Sequence, residues 1–315
     1  MQRRKMGRTP FEVAPLAFGG NVFGWTTDEA TSFRLLDAFV AGGGNLIDTA
    51  NSYSRWVPGH VGGESETVIG RWIARRGHHR DVVIATKVGS DMGQGEKCLR
   101  RAHILQQVDA SLSRLHVDAI DLYQSHWDDE KTAFEETLET YARLIEQGKV
   151  RAIGASNLTA ARLSQALDVS ARDRLPRYET LQPLYNLYDR DTFEGALRDL
   201  CLREDVGVIT YFSLAAGFLT GKYRSEKDYT KSPRGPGMKK YLNERGLRIL
   251  DALDDVASRL HATPAQVALA WLMAQPGVTA AIASATSLAQ LEDLLAATRL
   301  TLDEVDRQQL DEASA

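Results

Sequence analysis

Residues 81–89 read DVVIATKVG, an apolar and β-branched run that leads directly to Lys87. A run of this length and composition is typical of a strand buried on both faces of a parallel sheet. In a parallel α/β barrel, catalytic groups cluster at the carboxyl ends of the strands. The segment therefore predicts a barrel strand with a lysine at its active end.

Two further segments have the same form. GGGNLIDTANSYS at 42–54 ends its apolar run at Asp48 and continues to Tyr53, and AIDLYQSHW at 119–127 leads to His126. We expect these three side chains to meet the lysine at one site, because parallel strands place their carboxyl ends on the same face of a barrel. A phenol, an ammonium, a carboxylate and an imidazole together can move protons.

Apolar runs alternate with segments of helical periodicity along the whole chain, which predicts a parallel sheet. Eight strands without a change of composition favour a closed barrel over an open sheet, and 315 residues are typical of one (β/α)8 barrel. The predicted strands cover residues 15–18, 45–48, 82–86, 119–123, 151–154, 180–182, 207–211 and 279–282.

Capping residues predict two of the helix boundaries. Asp28 is a candidate N-cap for the segment that ends at Gly42–Gly44, and Thr263 with Pro264 marks another helix start. The stretch 223–240, YRSEKDYTKSPRGPGMKK, predicts either a mobile loop over the top of the barrel or a tolerated surface insertion.

Composition excludes several classes of function. The formal net charge of −4 and pI near 6.0 predict no attraction to nucleic acid or to an anionic membrane surface. Cys98 and Cys201 have no metal-ligand spacing and suit a reducing compartment, and Cys201 is expected to be buried. No apolar core follows the basic N-terminus, which favours a cytoplasmic protein without a signal peptide.

With these motifs the chain resembles the aldo-keto reductase superfamily. The resemblance runs from FGGNVFG at 18–24, through GKVRAIGASN at 148–157, LQPLYNLYDR at 181–190 and YFSLAAGFLTGKY at 211–223, to ASATSLAQLEDLLAA at 283–297. It implies one domain over residues 1–315: a (β/α)8 TIM barrel with an N-terminal β-hairpin and an additional C-terminal helix. Its known activity implies an oxidoreductase that reduces carbonyl compounds.

The resemblance places the family's catalytic residues at Asp48, Tyr53, Lys87 and His126. Tyr53 is expected to protonate the carbonyl oxygen as hydride reaches the carbon. Since the pKa of a free tyrosine is ~10, we expect Lys87 to lower it, with Asp48 holding the lysine charged and oriented. His126 is expected to orient the carbonyl oxygen as a neutral imidazole.

The GxGxxG fingerprint of the Rossmann fold is absent, which argues against the common dehydrogenase folds but not against a nicotinamide cofactor. The resemblance implies an extended nicotinamide cofactor across the top of the barrel. Ser156, Asn157 and Gln182 match the carboxamide ligands, and Tyr211 matches the aromatic residue that stacks on the nicotinamide ring. The full set of implied cofactor residues is Asn21, Ser156, Asn157, Gln182, Tyr211, Phe212, Ser213, Leu214, Gly217, Lys222, Ser284, Thr286, Gln290 and Asp293.

Two departures from the family pattern concern this cofactor. Phe212–Ser213 replaces the usual Ser-Pro, so Ser213 is expected to supply the hydroxyl contact. The segment IASATSLAQLEDL at 282–294 carries no lysine or arginine for the 2′-phosphate. NADPH is the expected cofactor, and NADH or dual use stays open.

Three tryptophans, Trp25, Trp56 and Trp127, predict an apolar pocket for a small aldehyde or ketone. Arg55 is expected to be a solvated loop residue, with recognition of a substrate anion as the alternative. No metal site is expected, because the adjacent His78 and His79 have a poor chelating geometry.

Two other functions match parts of the sequence. Neither the substrate nor the oligomeric state is predicted. Some members of the superfamily act as nicotinamide-sensing subunits of membrane channels, but the chain lacks the N-terminal extension expected of them. The Tyr-x-x-x-Lys match at 223–227 is that of short-chain dehydrogenases, but it lies in a loop and lacks the glycine-rich turn that should accompany it.

Overall fold

The structure, a computed structural model, describes residues 1–315 and contains eight parallel strands that close into a barrel. A separate antiparallel pair of short strands precedes them. The strands are β1 Arg4–Lys5, β2 Glu12–Val13, β3 Leu16–Gly19, β4 Leu46–Asp48, β5 Val83–Val88, β6 Ile120–Ser125, β7 Val150–Ser156, β8 Thr180–Gln182, β9 Gly207–Thr210 and β10 Val278–Ala283. Around the barrel, β3 to β10 follow in chain order and β10 closes the ring by pairing with both β9 and β3.

Helices surround this barrel. They are α1 Glu29–Ala41, α2 Glu64–Arg76, α3 Arg101–Leu115, α4 Phe134–Glu146, α5 Ala160–Asp173, α6 Ala196–Arg203, α7 Glu244–Leu260, α8 Pro264–Ala274, α9 Leu288–Ala297 and α10 Glu304–Ser314. The predicted (β/α)8 barrel, N-terminal hairpin and additional C-terminal helix are confirmed. Helix α7 is a further addition between β9 and β10, and it packs against α10.

All eight predicted strands are present, with ends that differ by one or two residues. Strand β5 extends to Val88, so Lys87 lies inside the strand and not just after it. The predicted strand ended at residue 86 because a charged residue usually ends an apolar run. Here the ladder continues, since Lys87 pairs in register with Gln124 of β6.

The predicted helix caps are also present. The Asp28 carboxylate accepts a hydrogen bond from the backbone N–H of Thr31 at 2.7 Å, and α1 ends at a Gly42 C-cap. The Thr263 hydroxyl accepts from the backbone N–H of Gln266, with Pro264 as the first residue of α8. These caps satisfy backbone donors that have no partner inside the helix.

The core has two parts. Small and branched side chains fill the inside of the barrel, among them Ala17, Leu46, Leu122 and Ile209. A larger layer between the strands and the surrounding helices contains Trp72 and most other buried apolar side chains. The barrel is therefore packed through its interior, and a site can open only at an end.

The N-terminal hairpin covers the amino ends of the strands. Met6 is fully buried with the barrel interior, and the Arg4 guanidinium donates to the carbonyl oxygens of Met273 and Val278 at 2.8 and 2.9 Å. A smaller cavity of about 700 Å³ lies at this end beside the hairpin, and the larger cavity opens at the carboxyl ends of the strands.

The stretch 223–240 contains regular structure that its composition did not predict. It contains two short 3₁₀ helices, Glu226–Lys231 and Gly235–Lys240, and the side chains of Tyr223 and Met238 are buried. The segment lies over the top of the barrel, as the first of its two readings predicted, and residues 231–234 form part of the cavity wall. Local composition could not show this, since the contacts are with residues distant in sequence.

Both cysteines are buried, as expected for Cys201. None of the helices is long and apolar enough to cross a membrane.

Candidate active site

A cavity of about 1210 Å³ opens at the carboxyl ends of the barrel strands. Every residue singled out from the sequence as catalytic, cofactor-binding or pocket-forming lines it, except Lys87. Lys87 lies directly below, with none of its side chain exposed. The structure therefore brings together residues from all eight barrel strands and the loops that follow them.

Asp48, Lys87 and Tyr53 form one hydrogen-bonded group at the floor of the cavity. The Lys87 ammonium donates to Asp48 Oδ2 at 2.7 Å, to the backbone carbonyl oxygen of Thr49 at 2.8 Å and to the Tyr53 hydroxyl at 2.9 Å. Its three donors are thus used by three acceptors, which fixes its position. The Tyr53 hydroxyl also lies 3.3 Å from Asp48 Oδ2.

The pKa of Tyr53 differs from the prediction. Burial, followed by the nearby Asp48 carboxylate, raises the pKa of Tyr53 well above its ordinary value. The charge of Arg234 acts in the opposite direction but does not reverse this, so the pKa of Tyr53 is not brought down as the sequence predicted. A sequence shows that a lysine is near, but not that the phenol is withdrawn from water. The phenol is therefore protonated at neutral pH.

Lys87 itself is subject to two opposing effects. Burial lowers the pKa of Lys87, while the charge of Asp48 and its hydrogen bond raise it. The contact of 2.7 Å between the two side chains, which are 0% and 2% exposed, makes this a buried ion pair. Such a pair is costly to break, because either partner alone would be a buried, uncompensated charge.

His126 is held as a neutral imidazole. Burial lowers the pKa of His126 well below its ordinary value, and the charges of Lys87 and Lys97 lower it further. Its Nδ1 lies 2.9 Å from the Ser90 hydroxyl, and its ring stacks on Trp127 at a centroid distance of 5.7 Å. With Nδ1 bonded to Ser90, Nε2 is the free nitrogen of the ring.

Two glutamines complete the surroundings of Asp48. Gln182 Nε2 donates to Asp48 Oδ1 at 2.8 Å, and Gln124 Nε2 lies 3.4 Å from the same oxygen. Gln182 lines the cavity, whereas Gln124 lies behind it. Gln182, which was predicted to bind the cofactor amide, is therefore also hydrogen-bonded to the Asp48 carboxylate.

Ser156, Asn157 and Tyr211 form a second polar group in the cavity wall. The Asn157 amide donates to the backbone carbonyl oxygen of His126 at 2.9 Å and accepts from the Tyr211 hydroxyl at 2.7 Å. Asn157 has φ of 59°, a left-handed conformation that asparagine tolerates better than most residues. The Ser156 hydroxyl donates to the carbonyl oxygen of Gln182.

The loop after β9 contributes the next part of the wall. Phe212 is 43% exposed and has φ of 53°, and the Ser213 hydroxyl donates back to the carbonyl oxygen of Thr210. Leu214, Gly217 and Lys222 line the cavity further along. The ammonium of Lys222 makes no ion pair with any carboxylate of the chain.

The residues predicted for the adenosine end also line the cavity and bond to one another. The Ser284 hydroxyl contacts Asn21 Oδ1 at 2.7 Å, and Gln290 Oε1 accepts from the Thr286 backbone and hydroxyl. The Asp293 carboxylate accepts from Thr263 and Gln266. The negative charge of Asp293 is therefore already stabilised by hydrogen-bond donors of the protein.

The three tryptophans border the end of the cavity that contains Tyr53. Trp25 and Trp56 pack edge to face at 5.4 Å, and Trp56 contacts the Tyr53 ring at 6.1 Å. Trp56 is 50% exposed. This end is mostly aromatic, in contrast with the polar wall on the other side.

Three site residues were missed by the sequence analysis: Ser90, Gln124 and Arg234. Ser90 and Gln124 lie close to Lys87 and His126 in sequence, so strand register could have suggested them. Arg234 lines the cavity from the segment 223–240, and no local pattern could have found it. Arg55, the arginine that was considered, does not line the cavity and pairs with Asp91, as its reading as a loop residue predicted.

Comparisons with known proteins agree over nearly the full length of the chain. The profile described as the Aldo/keto reductase family matches residues 15–315. An uncharacterized oxidoreductase of Bacillus subtilis (strain 168), YrpG, is 34% identical over 313 residues, covering 96% of this chain and 93% of that protein. The aldo-keto reductase YhdN of the same strain is 33% identical, covering 93% of this chain and 86% of its own. A probable voltage-gated potassium channel subunit beta of Arabidopsis thaliana is 30% identical, covering 98% and 96%.

Proposed function

Because the chain belongs to the aldo/keto reductase family and is an oxidoreductase, we propose that it reduces an aldehyde or ketone with NADPH as hydride donor and Tyr53 as proton donor. NADH is the alternative donor. The observation that carries the proposal is the Tyr53 hydroxyl, which lies 2.9 Å from the Lys87 ammonium at the floor of an aromatic cavity.

When bound, the nicotinamide cofactor supplies the hydride to the carbonyl carbon. Tyr53 supplies the proton to the carbonyl oxygen, and its raised pKa keeps that proton in place until it is needed. The Lys87 ammonium donates a hydrogen bond to the phenolate that remains, and Asp48 holds the ammonium in position. The group thus stabilises the charge that develops on the tyrosine oxygen.

His126 orients the carbonyl oxygen. Its low pKa keeps the ring neutral, so it donates one hydrogen bond and does not compete with Tyr53 as an acid. In the tautomer that suits this role, the Ser90 hydroxyl donates to Nδ1 and the proton resides on Nε2. Ser90 is then a positioning residue for His126.

The cavity fits an extended dinucleotide. Its volume of about 1210 Å³ exceeds that of most small-molecule sites, typically ~300–1,000 Å³. Gln182, Ser156 and Asn157 would hold the carboxamide, Tyr211 would face the ring, and the unpaired Lys222 ammonium would neutralise phosphate charge. The binding of a polyanion by this wall is supported by the lack of any carboxylate beside Lys222.

The test is to follow oxidation of NADPH, and then of NADH, by the purified protein with 4-nitrobenzaldehyde. We expect turnover with NADPH, and we expect Tyr53→Phe to retain cofactor binding but lose turnover by at least ~10²-fold. A Tyr53→Phe variant that keeps most of the activity would contradict the role of Tyr53. The ratio of the turnover rates with NADPH and NADH shows which cofactor the adenosine end of the site prefers.

A second candidate function is a nicotinamide-binding regulatory subunit with little turnover. The similarity to plant proteins named as probable potassium channel beta subunits favours it. Tight NADPH binding without turnover of any aldehyde would support this function over the reductase. Absence of binding would contradict both.

A further inference from the structure

Arg234 reaches into the cavity without a counter-ion. It is half-buried and lines the cavity, and its guanidinium makes no hydrogen bond or ion pair with any side chain of the protein. Burial accordingly lowers the pKa of Arg234, with no carboxylate to offset it, although the group stays charged. A half-buried cation without a partner is unfavourable, unless a ligand supplies the missing anion.

Arg234 lies at the end of the cavity that contains Tyr53 and the tryptophans. Its guanidinium carbon is 5.4 Å from the centre of the Trp25 ring. Trp25 packs on Trp56, and Trp56 packs on Tyr53. Stacking on an aromatic face holds the plane of a guanidinium and leaves its N–H edges free for a bidentate contact with a carboxylate.

Other charges of the cavity do not satisfy this arginine. Asp48 is paired with Lys87, and Asp293 accepts from Thr263 and Gln266. Among the neighbouring cations, Lys231 is already paired with Asp228 at 2.7 Å. Lys97 lies over the Trp127 ring at 4.4 Å, also without an ion pair, but it is exposed and does not line the cavity. Arg234 is therefore the cavity-lining cation that remains unpaired beside Trp25, separate from Lys222 on the loop after β9.

We propose that Arg234 binds an anionic group of the substrate, so that the preferred carbonyl compounds carry a carboxylate. This inference rests on the proposed reductase function and names the substrate class of the same site. The phosphates of the cofactor have the same chemistry, so the experiment must separate the two sources of negative charge.

The experiment compares each carboxybenzaldehyde with its methyl ester, using the 3- and 4-isomers and saturating NADPH. Acid and ester differ in charge but have nearly the same reactive group. We expect the wild type to favour the acid in kcat/KM, and Arg234→Gln to lower the acid-to-ester ratio by at least ~10-fold, as for loss of a charge-assisted hydrogen bond. Arg234→Lys should keep part of the preference, because it keeps the charge without the planar fork.

Arg55→Gln is the matched control. It removes an arginine close to Tyr53 in sequence whose guanidinium is engaged with Asp91 and does not line the cavity. The acid-to-ester ratio should stay at its wild-type value in this variant.

Several outcomes would overturn the assignment. Equal kcat/KM values of the wild type for acid and ester would contradict it. This measurement needs no variant, so it stands even if Arg234→Gln fails to fold. In Arg234→Gln, the Kd for NADPH could rise while kcat/KM falls equally for the acid and the ester. That result would assign the guanidinium to the cofactor phosphates. Turnover of none of the four aldehydes would overturn the proposed reductase function, and the substrate assignment with it.

Discussion

At the scale of single residues, the Lys87–Asp48 pair dominates the energetics of the site, because both charges are withdrawn from water. Four donors surround the Asp48 carboxylate: Lys87, Tyr53, Gln182 and, at 3.4 Å, Gln124. A buried pair of this kind adds little net stability, but the loss of either partner is expensive.

We therefore expect Lys87→Met to lower the free energy of unfolding by ~3–5 kcal/mol, in addition to its effect on turnover. Urea denaturation measures the change. Lys149→Met is the control, because its pair with Asp109 is partly solvent-exposed and worth at most ~1 kcal/mol. The double variant Asp48→Asn/Lys87→Met should be more stable than Lys87→Met alone. Equal losses in Lys87→Met and Lys149→Met would contradict a buried ion pair.

Gln182 leads to a separate prediction, because its side chain both lines the cavity and bonds to Asp48. Gln182→Met keeps the shape without the amide and should weaken NADPH binding by ~10-fold, the effect of one or two lost hydrogen bonds. Fluorescence titration measures the Kd. Gln124→Met, which removes an amide behind the cavity, should leave the Kd unchanged. Wild-type affinity in Gln182→Met would count against the carboxamide assignment.

At the scale of elements, the strand ends and the first turns of the helices hold the loops that line the site. Helix α1 follows the loop that contains Trp25 and begins at the Asp28 cap. Because the Asp28 cap fixes the start of α1, it restricts the conformations available to this loop. The stability of a single helix cap thus bears on the shape of the pocket mouth.

We expect Asp28→Ala to lower the free energy of unfolding, because α1 loses the acceptor that caps its first turn. The exposed Asp28 side chain contributes little else than its bond to the Thr31 backbone N–H. Asp28→Ser keeps a capping hydroxyl and should restore most of the loss. Thermal or urea unfolding measures both variants, and equal stability of Asp28→Ala and wild type would show that the cap contributes nothing.

At the scale of the whole molecule, the barrel withdraws titratable groups from water, which makes its stability depend on pH. The folded state holds His126 at a pKa well below its ordinary value near 6.5, so the unfolded chain takes up a proton that the folded chain excludes. Stability from this source is complete above that ordinary value and is lost as the pH falls below it. His103 contributes in the same direction, also mainly through burial.

We predict that wild type loses more stability than His126→Gln between pH 7.5 and pH 5.5 (on the order of 1 kcal/mol per pH unit at most). The variant retains His103, so the difference isolates His126. Urea unfolding at several pH values is the measurement. Parallel pH dependence in the two proteins would contradict a neutral, buried His126.

Local patterns in the sequence predicted the barrel, its eight strands, two helix caps and the convergence of Asp48, Tyr53, Lys87 and His126, while the family resemblance supplied the cofactor residues that line the cavity. This succeeded because apolar runs, helical periodicity and caps are local patterns, and because parallel strands bring their carboxyl ends together whatever the loops do. Asp48 could be placed at the site for this reason, and Gln182, which the resemblance assigned to the site, meets the same condition. Each is the last residue of its strand.

Only the tertiary structure decided which polar groups have partners and which do not. Arg55 lies two residues from Tyr53 yet points away to Asp91, while Arg234, far along the chain, enters the cavity unpaired. The pKa of Tyr53 likewise rises where the sequence predicted a fall, since burial depends on the whole fold. Charge pairing and desolvation depend on distances between segments that are remote in sequence, and no local pattern encodes those distances.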